Sequence, residues 1–226
     1  MGFPDKKTIQ TLIKMGATLP SGWEPRWNEC FNWYKNAKGW FSNEEAFTLW
    51  ILAQQAGSGE ILEVGSYTGR STLVLAHAAI ATNRSVFAVD TFEGTSNMVV
   101  PRYAFFDEKT KAIDGVQLLT AYRTNTWKPH LRDVINTLMG KSEFWSKYLR
   151  ANFHLAFIDG EHLFEFVVKD IEGWLPMVLP GGFAAFHDYS HNVGVEQAID
   201  KTVPWDQWER LEVIGSTLVA RRKQNE

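Results

Sequence analysis

The 226-residue chain has a single cysteine, Cys30, so it forms no internal disulfide and carries no cysteine-rich metal knuckle. No nucleophile signature surrounds Cys30, which reads as a small packed thiol. No apolar run approaches the ~18 residues of a membrane span. Met1–Gly16 lacks the apolar core and small-residue cleavage site of a secretory signal, which points to the cytoplasm. Nor is there an excess of basic charge: Lys+Arg 23 against Asp+Glu 26 gives -3 at pH 7. A surface built throughout to grip nucleic-acid phosphates is therefore not expected. No Pro-Pro dipeptide occurs, so the Asn/Asp-Pro-Pro-aromatic loop of amino-methylating nucleic-acid enzymes is missing.

Aromatic residues, in contrast, are plentiful. Trp23, Trp27, Phe31, Trp33, Tyr34 and Trp40 crowd residues 1–40, too apolar a segment for a disordered tail. It reads as a packed N-terminal extension or lid, with residues 41–226 as the main domain. The ten tryptophans also leave apolar material for a homo-oligomer interface.

From Ser42 onward the pattern is regular. Ser42-Asn43-Glu44-Glu45 has capping-box spacing and opens a helix through Phe47, Trp50 and Ile51. Strands are expected at 60–65, 85–90, 134–138, 153–159 and 183–186. Helices are expected at 71–81, 115–122, 164–178 and 195–199, and loops around 94–102. Pro180-Gly181-Gly182 is read as a break, and 211–214 with 217–221 as a closing hairpin around Gly215-Ser216. Strands alternating with helices predict a Rossmann-like α/β fold. The expected sheet is open, mostly parallel and seven-stranded, with helices on both faces and an antiparallel closing strand. Ligands bind beyond the carboxyl ends of such strands, and there the chain places Glu63/Gly65, Asp90, Asp159 and His187/Asp188.

The first such turn reads Glu63-Val64-Gly65-Ser66-Tyr67-Thr68-Gly69-Arg70-Ser71. Gly65 and Gly69 allow close backbone approach. A dinucleotide fingerprint would need glycine where Tyr67 stands, which counts against a nicotinamide-dependent oxidoreductase. Glu63 before the first glycine disfavours phosphate and favours an ammonium, while Asp90 suits two ribose hydroxyls. An adenosyl ligand with an amino-acid tail and no phosphate, such as S-adenosylmethionine, meets these conditions.

With Val89-Asp90-Thr91-Phe92, Phe157-Ile158-Asp159-Gly160-Glu161-His162, Pro180-Gly181-Gly182 and Phe186-His187-Asp188-Tyr189, the chain resembles class I S-adenosylmethionine-dependent methyltransferases. More narrowly it resembles the macrocin O-methyltransferase and cephalosporin-hydroxylase branch, over about residues 40–222. The resemblance implies that Glu63, Gly65, Ser66 and Gly69 surround the methionine tail, with Ser71 at the helix start. It implies Asp90 on the ribose, and Thr91 and Phe92 beside the adenine, with Ser142 nearby. Asp159, His187 and Asp188 would hold Mg²⁺ or another divalent ion on the substrate hydroxyls. A histidine in that set tilts preference towards Mn²⁺, Fe²⁺ or Zn²⁺. His162, three residues past Asp159, stands where related enzymes keep the general base. The implied acceptor is a small hydroxylated molecule, a sugar or secondary metabolite, and not nucleic acid or membrane. The rival of another class is a non-catalytic binding protein on the same fold.

Overall fold

The computed structural model describes residues 2–95, 106–107 and 112–224. Three helices come first: α1 (Lys6–Lys14), α2 (Trp23–Tyr34) and α3 (Asn43–Leu52). The alternating unit follows as β1 (Glu60–Val64), α4 (Arg70–Thr82) and β2 (Val86–Asp90). Two short strands, β3 (Phe106–Asp107) and β4 (Ala112–Ile113), precede α5 (Gly115–Thr126). Then come β5 (Ile135–Met139), α6 (Ser142–Tyr148), β6 (Phe153–Ile158), α7 (Phe164–Trp174), β7 (Val178–Phe186), α8 (Val193–Thr202), β8 (Trp208–Ile214) and β9 (Thr217–Arg222). From residue 96 on, the loop expected over 94–102 lies outside the described residues. Among the described residues no helix is long and apolar enough to cross a membrane.

The main sheet has seven strands in the order β5-β2-β1-β6-β7-β9-β8. The pairs from β5 to β7 are parallel, and β9 runs antiparallel to both β7 and β8. This is the mixed sheet that the alternating pattern predicts. Side chains alternate between its faces, as strand geometry requires. Ile61, Leu155, Phe157, Phe183 and Ala185 pack under α2, α3 and α4. Leu62, Val64, Ala156, Ile158, Ala184 and Phe186 pack against α7 and α8.

The N-terminal segment belongs to the first of these cores. Leu12, Trp27, Cys30 and Tyr34 are fully buried in it. The Trp27 indole donates to the Gly2 carbonyl at 2.9 Å, which satisfies its one polar atom. Asp5 caps α1 by accepting from the Thr8 amide at 2.7 Å. Ser42 and Glu45 form the capping box of α3, as their spacing predicts.

Helix α7 ends at Trp174, short of the expected 178, and β7 begins at Val178. Pro180-Gly181-Gly182 is therefore inside a strand, where the β6–β7 register shifts between Phe153 and Leu155. A bulge tolerates the missing proline donor, so the sequence signal read as a break marks an irregularity.

Candidate functional site at the carboxyl ends of the strands

The ladder sets the site. The Gly65 amide donates to the Val89 carbonyl at 2.9 Å, Asp159 to Val64 at 2.8 Å, and His187 to Ile158 at 3.0 Å. Four neighbouring strands thus end at one level. Gly65 has φ +87, and a Cβ built there would fall 2.0 Å from the Asp159 carbonyl oxygen. Only glycine lets the β1 turn pass that close to the β6 end.

Asp90 closes β2 and ties the first turn. One carboxylate oxygen accepts from the amides of Ser66 at 2.7 Å and Tyr67 at 2.8 Å; the other accepts from Phe92 at 2.6 Å. Burial raises this carboxyl, opposed by the three amide donors. Tyr67 and Phe92 both adopt left-handed backbone, φ 47 and 59, a conformation that costs an ordinary residue energy. Their hydrogen bonds to Asp90 hold them in it.

Glu63 sits differently from the expectation. It is fully buried and accepts from the hydroxyls of Ser66 at 2.7 Å, Ser71 at 2.6 Å and Thr72 at 2.5 Å. Strand alternation points it to the α4 side, with Ile61, and its carboxylate is occupied by those three hydroxyls. It therefore fixes the turn from behind. Burial pushes its carboxyl up to about 7, against the pull of the three donors.

A cavity of about 360 Å³ lies above these strand ends. Gly65, Ser66, Ser71, Asp90 and Thr91 line one side of it, with Gly140 and Ser142 beyond. Asp159, His162, His187 and Asp188 line the other. Trp40 and Phe41, from the end of the N-terminal segment, also contribute. Of the expected cofactor residues, Glu63, Gly69 and Phe92 are outside the lining. Phe92 is buried against Tyr122, with ring centroids 4.8 Å apart. Gly69 takes φ +86 at the start of α4 and leaves no room for a Cβ beside Thr126. Ser142 donates to buried Asp170, a carboxyl pushed up to about 6 by burial.

The second constellation is ionic. His187 Nδ1 lies 3.0 Å from Asp159 Oδ1 and 3.3 Å from Asp188 Oδ2. Its Nε2 lies 3.5 Å from Glu45 Oε1. Burial alone would lower this imidazole, but the facing carboxylates hold it well above its usual range. In return His187 and, at Asp188, His162 overcome burial and keep Glu45 and Asp188 well below the carboxylate range. His162 Nε2 lies 3.2 Å from Asp188 Oδ2. Burial would depress His162, yet Asp188 and Asp159 raise it overall. Asp188 itself is left-handed, φ 55.

Among the described residues, the group whose ligand atoms all lie within 4.8 Å is Asp159, His162 and Asp188. His187, expected as the third ligand, stands behind the two carboxylates with Glu45 on its far nitrogen. Glu45 was legible in the sequence only as a helix cap. Its part in this cluster comes from a hairpin 171 residues away, whose Ser216 amide and hydroxyl donate to it at 2.8 and 2.7 Å.

A family model described as a methyltransferase domain matches residues 62–189, more than half of the chain. Among solved structures, the O-methyltransferase NovP is similar over 81% of both chains, at 18% identity and TM-score 0.66. The SAH-bound methyltransferase PaMTH1 of Podospora anserina is similar over 100% of this chain and 98% of its own, at 15% identity and TM-score 0.61. An O-methyltransferase from Bacillus cereus in complex with SAH covers 88% of this chain and 91% of its own, at 16% identity and TM-score 0.59.

Proposed function

The chain belongs to the methyltransferase-domain family, and on that premise we propose that it transfers a methyl group from S-adenosylmethionine to a hydroxyl of a small acceptor, a sugar or secondary metabolite. The observation that carries this reading is one cavity joining the Gly65–Asp90 turn to the Asp159–His162–Asp188 cluster. SAH in the related Podospora and Bacillus enzymes supports the cofactor, and the likeness to two O-methyltransferases supports the acceptor atom.

The cavity fits the cofactor on its own chemistry. Gly65 and Ser66 offer close backbone approach for the amino-acid tail, and Asp90 offers carboxylate oxygens for ribose hydroxyls. Thr91 and Ser142 stand on the adenine side. Bound there, S-adenosylmethionine supplies a methyl group already activated on sulfonium. The acceptor oxygen forms the new C–O bond, the C–S bond breaks, and its electron pair stays on sulfur as a neutral thioether. What remains for the protein is alignment and removal of one proton. His162 takes that proton on its ring, and Asp188, whose Oδ2 lies 3.2 Å from Nε2, accepts from that nitrogen and stabilises the imidazolium. Asp159 orients the hydroxyl. Residues 38–41 form the acceptor wall: the Arg70 guanidinium donates to the carbonyls of Ala37 at 2.8 Å and Phe41 at 3.3 Å, which fixes that segment over the cavity.

A second reading of the same cluster is favoured by the grouping of its three ligand atoms. Asp159, Asp188 and His162 would hold a divalent cation, with mixed oxygen and nitrogen donors suiting Mn²⁺, Fe²⁺ or Zn²⁺ better than Mg²⁺. Such an ion would acidify the acceptor hydroxyl. Chelation separates the two readings: turnover that survives EDTA assigns the proton to His162.

The cofactor is tested by thermal unfolding with SAH, using NAD⁺ as control. SAH at ~100 times its Kd adds about 2.7 kcal/mol, or roughly 5–11 °C for a domain of this size. No shift with SAH would sink the methyltransferase reading.

A further inference from the structure

We propose that Glu45 is a positioning residue for the Asp159–Asp188 pair, acting through the imidazole of His187. The inference extends the reading above, in that it takes this carboxylate pair to be the acceptor end of the cavity.

His187 is 5% exposed, and neither ring nitrogen has an aligned hydrogen bond although carboxylates surround it. Asp159 and Asp188 compete for Nδ1 at 3.0 and 3.3 Å. Those two contacts alone leave the ring free to swing between two acceptors, or to turn over. Glu45, at 3.5 Å from Nε2, is the one further carboxylate on the ring among the described ion pairs. It supplies the third point that selects a single orientation. The rings of Phe41 and Phe157, each with its centroid 6.0 Å from that of His187, close the remaining sides.

Glu45 is itself unusually well fixed. One oxygen accepts from the Ser42 amide at 2.9 Å in the capping box. The other accepts from the Ser216 amide, the Ser216 hydroxyl and the Thr217 hydroxyl, at 2.8, 2.7 and 3.1 Å. Gly215, φ +62, makes the space: a Cβ there would fall 2.7 Å from the Glu45 carboxyl carbon. Four donors from two distant elements therefore hold the charge still. A helix cap needs only the Ser42 bond. The hairpin donors immobilise the face of the carboxylate that meets His187. Partners of this outer kind set the orientation of the groups that do chemistry.

The test is histidine-selective ¹⁵N NMR on the full chain, with the His187 signals assigned by His187→Gln. In the wild type His187 is expected to give slowly exchanging N–H signals from both ring nitrogens. Glu45→Gln, which keeps the size and the capping function of the side chain, is expected to lose the Nε2–H signal and shift the Nδ1 signal. Gly215→Ala, which pushes the carboxylate away by steric contact, is expected to weaken the same signal while leaving the Glu45 charge in place. SAH affinity, measured by calorimetry on the same samples, is expected to stay at the wild-type value in both variants. An unchanged His187 spectrum in folded Glu45→Gln, with only a lower melting temperature, would overturn the proposal and leave Glu45 as a staple between α3 and the hairpin. Should Glu45→Gln fail to fold, an unchanged spectrum in Gly215→Ala overturns it equally. Failure of SAH to bind the wild type would instead strike the cofactor reading.

Discussion

Replacing Glu63 by Gln tests whether a fully buried carboxyl behind the first turn carries a pH-dependent cost. Its ordinary value is 4.5, and burial raises it to about 7 in the folded chain. The folded state therefore holds this proton more tightly than the unfolded one. The contribution is fully present below pH 4.5 and is lost as pH rises through 7. Between pH 5.5 and 8.5, linkage of a group with these two values amounts to about 2 kcal/mol. Gln has no proton to lose, while its amide still offers one acceptor to the hydroxyls of Ser66, Ser71 and Thr72. Glu63→Gln should thus gain on the wild type by about 2 kcal/mol on going from pH 5.5 to 8.5, roughly 4–8 °C in melting temperature. The assay is thermal unfolding of both proteins at several pH values. The sign of the slope carries the reasoning, since any pH-independent packing cost cancels in the difference. A gap between the two proteins that is constant with pH, or that moves the other way, would refute the placement of a strained carboxyl under the turn.

Other substitutions probe the same frame. Gly65→Ala places a methyl group 2.0 Å from the Asp159 carbonyl oxygen at φ +87; a loss of about 2–4 kcal/mol is expected in urea unfolding, together with loss of SAH binding. His154 is buried, with Nε2 3.2 Å from the Leu52 carbonyl, and burial lowers it to about 4. Its contribution is present above pH 6.5 and fades as pH falls through 4, so the wild type should lose about 2.5 kcal/mol relative to His154→Leu between pH 7.5 and 4.5. Parallel denaturant titrations at the two pH values decide it, and a difference independent of pH would reject a neutral buried histidine there. If His162 is the proton acceptor, His162→Gln should lower turnover about 10²–10⁴-fold and leave SAH affinity in place; a variant that still turns over at the wild-type rate removes His162 from the chemistry.

The central unit was legible because its signals are local. The apolar run of β1, the glycine turn and the apolar α4 each follow from neighbouring residues, as do the acids that end β2 and β6. What escaped has a physical reason in each case. Helix α2 contains Pro25 and four tryptophan or tyrosine positions that mimic an irregular extension. Pro25 falls in the first turn, where an amide donor is not required, so it does not interrupt the helix. Helix α6 has 7 residues and none of them is buried, so it leaves no periodic stripe to read. The start of β7 was hidden by Pro180-Gly181-Gly182, which a register shift absorbs.

The site shows the same division between local and non-local information. Strand alternation alone assigns Glu63, Asp159 and His187 to one face: each is two residues beyond a side chain of the α3–α4 core, namely Ile61, Phe157 and Ala185. The pairing Phe157↔Ala185 sets β6 and β7 level, so Asp159 and His187 must emerge side by side. Given the strand ends, that much could be worked out on paper. The partner on the far side of His187 could not, because Glu45 arrives from a helix preceding the sheet and is steadied by a hairpin following it. In the sequence, Ser42-x-x-Glu45 explains itself fully as a helix start, and Gly215-Ser216 explains itself fully as a turn. A residue with a sufficient local reason gives no local hint of a second one. Positions of this kind become visible only when chain closure brings the two ends of the domain against the same strand.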